Sequence, residues 1–426
     1  MTEPKNVRPV ILVGFVGAAL LGFRPFQPDH SLIFVEEPDV IRKRDVYAKV
    51  KDAPLVREVI SWEFHLPGKA DEFYHTHRDL DPVAVIPLSE YSTPFAARLS
   101  ERYGLPGAGL GAAMILRDKA LLRQVSRAAG IANPDSVRVH SPGEVRAFMR
   151  SAPGRVVLKP ANRQASVGTQ VISDPAEIDQ AWAACTAQDE GVFVPDRSME
   201  LRMLAERYVD GTEYSVEMLL RDGAPLFANV TAKQLFDGPR PVESGHVVPA
   251  DIPAELTARL RGETHRMLAA VGFRDGIVHC EWIVSHGVPY LVECAGRMAG
   301  DGIIEMIEAA YPVDLKRAYV AVMKDEPVPV PLPQVARGAA AARFLTIDAG
   351  VVTDVRGADA AANAPGVQMC DVAVAPGDTF AGLRSSWDRV ADLVATADTP
   401  AEARRRADAA VKLIEIDVRP AAARIA

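Results

Sequence analysis

The chain has 426 residues, 48% hydrophobic and 24% charged, which is too long for one ordinary core and points to a folded globular protein of two or three domains. A formal net charge of -8, with no basic cluster interleaved with aromatics, excludes a nucleic-acid surface of the usual kind. The four cysteines, Cys185, Cys280, Cys294 and Cys370, lack CxxC spacing, which excludes a disulfide framework and a zinc site and fits a reducing cytoplasm.

In chain order, the apolar runs Val10–Val13 and Leu32–Val35 predict buried strands, followed by a strand near Val56–Ser61 and another within Pro82–Leu88. Gly14 and Gly17 read as a strand-to-helix turn, and Glu36-Glu37 close the second strand. Helical segments lie between the strands, most clearly over Tyr91–Tyr103. Such alternation predicts an open parallel α/β sheet, a Rossmann-like domain over residues 1–112. Pro9–Phe23, behind Lys5 and Arg8, also has the charged start and apolar run of a signal peptide, but it is too short to span a membrane comfortably. The strand-and-turn reading is the one adopted, and no membrane association is predicted.

The Gly-rich piece Gly104–Gly111 precedes a predicted helix over Arg117–Gly130 and marks a domain boundary. From Arg155 to Tyr319 strands dominate: Arg155–Lys159, Val171–Ile172, Met203–Tyr208, Tyr214–Leu220, Ala224–Val230 and a hairpin over 279–293, with helices near Ala176–Thr186 and Ala254–Val271. That order predicts an α+β domain over residues 113–323. Lys324–Pro333 holds four prolines in ten residues and reads as an extended linker. Beyond it, Ala339–Leu345, Val351–Val355, Val367–Ala375 and a helix over Ala401–Ile414 predict a small β-rich C-terminal subdomain over residues 324–426.

The hairpin carries the first chemistry. Glu281 stands twelve residues before Glu293, and antiparallel pairing around the turn Ser285-His286-Gly287 brings the two carboxylates together. Like charges so placed repel unless a cation lies between them, which predicts a Mg²⁺ site. Arg297, four residues after Glu293 in a Gly-rich turn, offers a planar fork suited to phosphate oxygens. Upstream, within Val156–Ile172, Lys159 ends an apolar strand and is costly there unless it meets an anion, while the small, polar loop after it, containing Ser166 and leading to another strand, suits phosphate binding through backbone N–H groups. Glu206–Glu217 joins two strands through Asp210-Gly211, by composition a hairpin turn.

With these motifs in this order, the chain resembles the ATP-grasp superfamily over essentially its whole length, and its carboxylate–amine ligase branch most closely. The resemblance implies an N-terminal open parallel sheet, a central two-subdomain ATP-grasp part and a small β-rich cap. It assigns Glu206 and the backbone of Tyr208–Val209 to the adenine edge, Glu213 to the ribose hydroxyls, and Lys119 and Lys159 to the α- and β-phosphates. It implies ATP with two Mg²⁺ ions, Mn²⁺ being an acceptable substitute. Ala295 stands where many members have asparagine, so metal binding rests on Glu281 and Glu293 with water completing the shell.

Thr231–Pro249 resembles the strand and loop of L-amino-acid ligases that carry Lys followed by Glu-x-Gly-His, here Lys233, then Glu243, Gly245 and His246. Lys233 would neutralise charge on the γ-phosphate and the acyl-phosphate, and His246 would bind the substrate carboxylate or take a proton from the amine. Asp301 has two readings: an acid that pairs with the ammonium of the carboxylate-donating amino acid, or the N-cap of the helix beginning Gly302-Ile-Ile, which is the favoured one. The reaction implied is ATP-dependent joining of a small carboxylate to an amine or amino acid, with a homodimer compatible with it. The rivals are a carboxylase-type or purine-pathway reaction, and a nucleotide-binding regulatory module without turnover.

Overall fold

The computed structural model describes residues 7–151, 154–187, 190–328 and 331–420. Lys5 of the signal-peptide reading, and part of the proline-rich linker, lie outside the described residues. No helix among the described residues is long and apolar enough to cross a membrane.

The N-terminal sheet is parallel, in the order β3 (Val56–Ser61), β2 (Leu32–Glu36), β1 (Val10–Val13), β4 (Ala84–Pro87). β1, β2 and β4 are buried along their whole length, which is why they appear in the sequence as unbroken apolar runs. Helix Thr93–Tyr103 has Pro94 in its first turn and ends at Gly104, whose φ of 66° is the left-handed C-cap that glycine adopts freely. The helix expected over Arg117–Gly130 is Lys119–Ala128, and a separate helix, Leu110–Arg117, stands before it where the sequence reads as a Gly-rich boundary. Asp118 divides them, because its carboxylate accepts from the N–H groups of Ala120 and Leu121 and so starts the second helix.

A small antiparallel sheet follows, in the order β5 (Ser136–Val139), β8 (Met203–Arg207), β6 (Val156–Pro160), β7 (Gln170–Ile172). Helices Pro142–Ser151 and Ile178–Thr186 cover it through a core that includes Val145, Leu158, Ile172 and Ile178.

The large sheet has the order β13 (Val288–Ala295), β12 (Gly276–Ser285), β9 (Thr212–Arg221), β10 (Ala224–Leu235), β11 (Glu243–Val248), β14 (Ala339–Leu345), β18 (Ala391–Ala397), β16 (Val367–Val372), antiparallel throughout. Two elements differ from expectation. β10 runs on through Lys233, and Glu243–Val248 is a strand, so His246 sits on a sheet and not on a loop. The C-terminal part extends the central sheet, since β14 pairs with β11 across the position expected as a domain boundary. Helix Pro400–Val411 turns Ala403, Ala407 and Ala410 towards alanines of β14 and β18, and this small-on-small contact lets helix and sheet lie close. A smaller sheet, β17 (Thr379–Phe380), β15 (Gly350–Arg356), β19 (Glu415–Arg419), completes the chain.

One face of the N-terminal sheet shares a core with the central sheet and with helices Ile303–Ala310 and Leu315–Met323. The opposite core of the central sheet holds Trp282, fully buried under helix Ala254–Val271, its indole N–H donating to Thr264 at 2.9 Å.

Candidate active site

A cavity of about 750 Å³ opens between the N-terminal sheet, the small antiparallel sheet and the central sheet. Of the residues singled out in the sequence, Lys119, Lys159, Ser166, Glu206, Tyr208, Val209, Glu213, Lys233, Glu243, His246, Glu281, Glu293, Arg297 and Asp301 all line it. Gly245 does not: a Cβ there would come within 2.5 Å of Ala342 O and of the Arg343 guanidinium, so this glycine permits close packing of β11 on β14.

β12 and β13 pair with Glu281 directly opposite Glu293, as the hairpin predicts. Each carboxylate meets a lysine: Lys233 Nζ lies 2.6 Å from Glu281 and Lys119 Nζ 2.7 Å from Glu293. Lys233 also faces Glu243 at 3.1 Å and Glu213 at 3.9 Å, so three acids surround one cation. Burial drives the Glu213 carboxyl up to about 7; Lys233 opposes the rise, and Glu281 and Glu243 add to it. This surplus of negative charge fits a divalent cation, although among the described residues no group of three or more His, Cys, Asp or Glu is gathered as a ready metal cluster. Glu281 and Glu293 alone supply protein oxygens at the register pair, and a Mg²⁺ ion keeping water and substrate oxygens needs no more.

Beneath Glu281 lies a network that the sequence reading missed. His279 Nε2 is 3.2 Å from Glu281 and Nδ1 is 2.9 Å from the fully buried Glu217, which also accepts from Ser215, Asn229 and Thr231. Burial would lower the His279 pKa, but the carboxylates of Glu217 and Glu281 outweigh it and hold the imidazole at about 9. The available signal was its place two residues before Glu281, which puts both side chains on one face of a strand.

Glu206 lines the cavity with its carboxylate paired to two cations. Arg123, also missed, donates to its carboxylate at 2.7 and 3.2 Å, and Lys159 does so at 2.6 Å. Burial opposes ionisation of Glu206, yet the two cations keep its pKa at about 2. Both carboxylate oxygens are thus engaged by cations. Arg123 reaches on to Val292 O at 2.7 Å and so ties the small sheet to the central one.

Ser166 closes the β6–β7 loop against the central sheet, its hydroxyl donating to Pro241 O at 3.0 Å. Lys119 Nζ donates to Arg163 O at 2.8 Å in the same loop. Arg297 donates to Met298 O at 2.7 Å and lies 3.7 Å from Glu90 of the N-terminal domain, a buried acid that also takes Arg117 at 3.1 Å. Asp301 does not cap a helix: Gly302 occupies the N-cap position of Ile303–Ala310 and no side chain bonds there. Its carboxylate lies 3.0 Å from His246 Nε2 and is clasped by both terminal nitrogens of Arg389, one of them at 3.0 Å. Arg389 in turn stacks 3.8 Å from the Phe344 ring.

Residues 152–305 match the family model of the ATP-grasp domain, and residues 343–419 match that of the L-amino acid ligase C-terminal domain 2. Residues 152–305 are thus similar to the ATP-grasp domain, and the chain has the ATP-grasp fold. Among curated relatives it is 24% identical over 252 residues to an alanine–anticapsin ligase of Bacillus subtilis, covering 55% of this chain and 52% of that one. It is 32% identical over 188 residues to a D-alanine–D-alanine ligase of Cereibacter sphaeroides, covering 43% and 56%. The chain thus spans about half the length of these curated relatives. The solved L-amino acid ligase of Bacillus licheniformis superposes with a TM-score of 0.77 over 97% of this chain and 100% of that one, at 15% identity, a likeness of fold.

Proposed function

We propose that this ATP-grasp protein is an ATP-dependent carboxylate–amine ligase that joins an amino-acid carboxylate to an amine or second amino acid through an acyl-phosphate, releasing ADP and phosphate. The observation that carries this reading is a single cavity holding the register pair Glu281 and Glu293, the lysines 119, 159 and 233, Arg297 and the His246–Asp301 pair. The chemistry asks nothing covalent of the protein, only positioning and charge.

In this reading Lys119 and Lys159 hold the α- and β-phosphates, the Tyr208–Val209 backbone meets the adenine edge, Glu213 meets the ribose, and Ser166 fixes the loop over the triphosphate. The substrate carboxylate attacks the γ-phosphorus, and Arg297 with Lys233 meets the charge on the phosphoryl group in flight. Glu281 and Glu293 would hold Mg²⁺, two ions or one, with Mn²⁺ as a substitute; bound there it would draw charge from the triphosphate oxygens. The amine then displaces phosphate from the acyl carbon, and His246, aligned by Asp301, takes its proton. Because Asp301 already meets Arg389, its part is to position His246 and not to pair with a substrate ammonium. Glu243 holds Lys233 in place. We read residues 1–112, 113–323 and 324–426 as the functional divisions, and a reducing cytoplasm as the location, in keeping with free cysteines at 185, 280, 294 and 370.

A screen of carboxylates against amines with MgATP, followed by phosphate release, tests the proposal. Release that needs both partners supports it. Release driven by bicarbonate alone makes the protein a carboxylase, and nucleotide binding without release in any pair makes it a binding module.

A further inference from the structure

The cavity continues past the phosphoryl-transfer centre to a wall of different character. Phe193, from the segment after helix Ile178–Thr186, stacks on Trp387 with ring centroids 4.5 Å apart and planes at 29°. The Arg44 guanidinium lies 4.9 Å from the Phe193 ring and 5.3 Å from that of Phe15, and all four residues line the cavity. Phe193 and Trp387 keep 37% and 36% of their surface exposed, an apolar area whose exposure is unfavourable unless something covers it.

The place of Trp387 says what that is. It lies between Ser386, whose hydroxyl donates to Glu243 at 2.9 Å, and Arg389, which clasps Asp301. One short turn therefore carries the aromatic wall and contacts both the Lys233 cluster and the His246 pair, the end of the site where the amide forms. Glu36 and Lys316, near this wall, are engaged within the protein. Glu36 accepts the N–H groups of Phe15 and Glu37, both at 2.7 Å, Arg44 donates to Phe15 O, and Lys316 meets Glu305 and Glu308. An apolar side chain finds in the stacked rings a ready surface.

Resting on the ligase reading, we infer that one of the two joined amino acids carries an aromatic or large aliphatic side chain that packs on Trp387 and Phe193. The test varies one amino acid through alanine, leucine, phenylalanine, aspartate and lysine in the phosphate-release assay. Leucine and phenylalanine give a kcat/KM roughly tenfold or more above alanine. Trp387→Ala and Phe193→Ala lower the phenylalanine-to-alanine ratio roughly tenfold, mainly through KM, and Trp387→Phe restores most of it. Preference for aspartate or lysine, or a Trp387→Ala that lowers every substrate by one common factor, overturns the inference. A calorimetric titration of phenylalanine and alanine into protein holding a non-hydrolysable ATP analogue separates this inference from the ligase reading. Phenylalanine binding that weakens roughly tenfold in Trp387→Ala supports the side-chain assignment even where no pair releases phosphate. Equal binding of phenylalanine and alanine by the parent overturns it.

Discussion

His65 shows how one side chain can record the state of the interface between the N-terminal domain and the rest. It is packed against Phe64 and Tyr91, and burial, reinforced by the charges of Arg197 and Arg117, lowers its pKa to about 3. Glu37 stands 3.6 Å away but is engaged by both terminal nitrogens of Arg197, so it does not rescue the cation. The native state then binds fewer protons than the unfolded state between the ordinary histidine pKa and about 3; the stability this histidine contributes is complete above about 6.5 and is lost as pH falls. His65→Gln should flatten the fall in melting temperature below pH 6.5, by up to about 1.4 kcal/mol per pH unit in the parent-minus-variant difference. Asp301 yields a second measurement. Asn caps a helix almost as well as Asp, so a capping role would leave Asp301→Asn as stable as the parent. Because the carboxylate neutralises a largely buried Arg389, the variant should instead lose roughly 3 kcal/mol and show a lower melting temperature. For Arg297, whose guanidinium rests between Met298 O and Glu90, Arg297→Ala should lower kcat by at least about a hundredfold and change the KM for ATP little.

At the scale of elements, Asp118 is the cheapest to test. Asp118→Ala removes the cap of helix Lys119–Ala128 and leaves Arg202, 2.7 Å from Asp118, with Glu200 as its remaining carboxylate partner, so chemical denaturation should report a loss of about 1–2 kcal/mol. The same elements show what the sequence made legible. β1 and β2 were readable within a residue, because buried strands of a parallel sheet carry their burial as composition. Glu281 and Glu293 were readable because a tight hairpin converts spacing into register. Helix Leu110–Arg117 was missed because the glycines at 104, 107, 109 and 111 make its start read as a loop. Arg123, Glu90 and Arg389 were missed for a different reason: each acts across an interface between segments far apart in the chain, and nothing local marks it. Asp301 was misjudged because the left-handed Gly302 already holds the position a cap would take.

At the scale of the whole molecule, the cavity predicts a ligand-linked gain in stability. MgATP at a hundred times its dissociation constant should raise unfolding free energy by about 2.7 kcal/mol, and Glu281→Gln or Glu293→Gln should remove most of that gain along with phosphate release. Near-parental turnover in either variant at saturating Mg²⁺ would undo the acid-pair assignment. The continuous sheet from β13 to β16 has another outcome, in the time domain. While the protein is being made, β11 leaves the ribosome well before β14, which must cover its free edge, and at ordinary elongation rates the gap lasts on the order of ten seconds. For that interval the nascent chain presents the unpaired backbone of Glu243–Val248 to its surroundings, an invitation to other strands. A product terminated before Ala339 would keep that edge for good, and should be recovered from cells as aggregate and not as a soluble nucleotide-binding fragment.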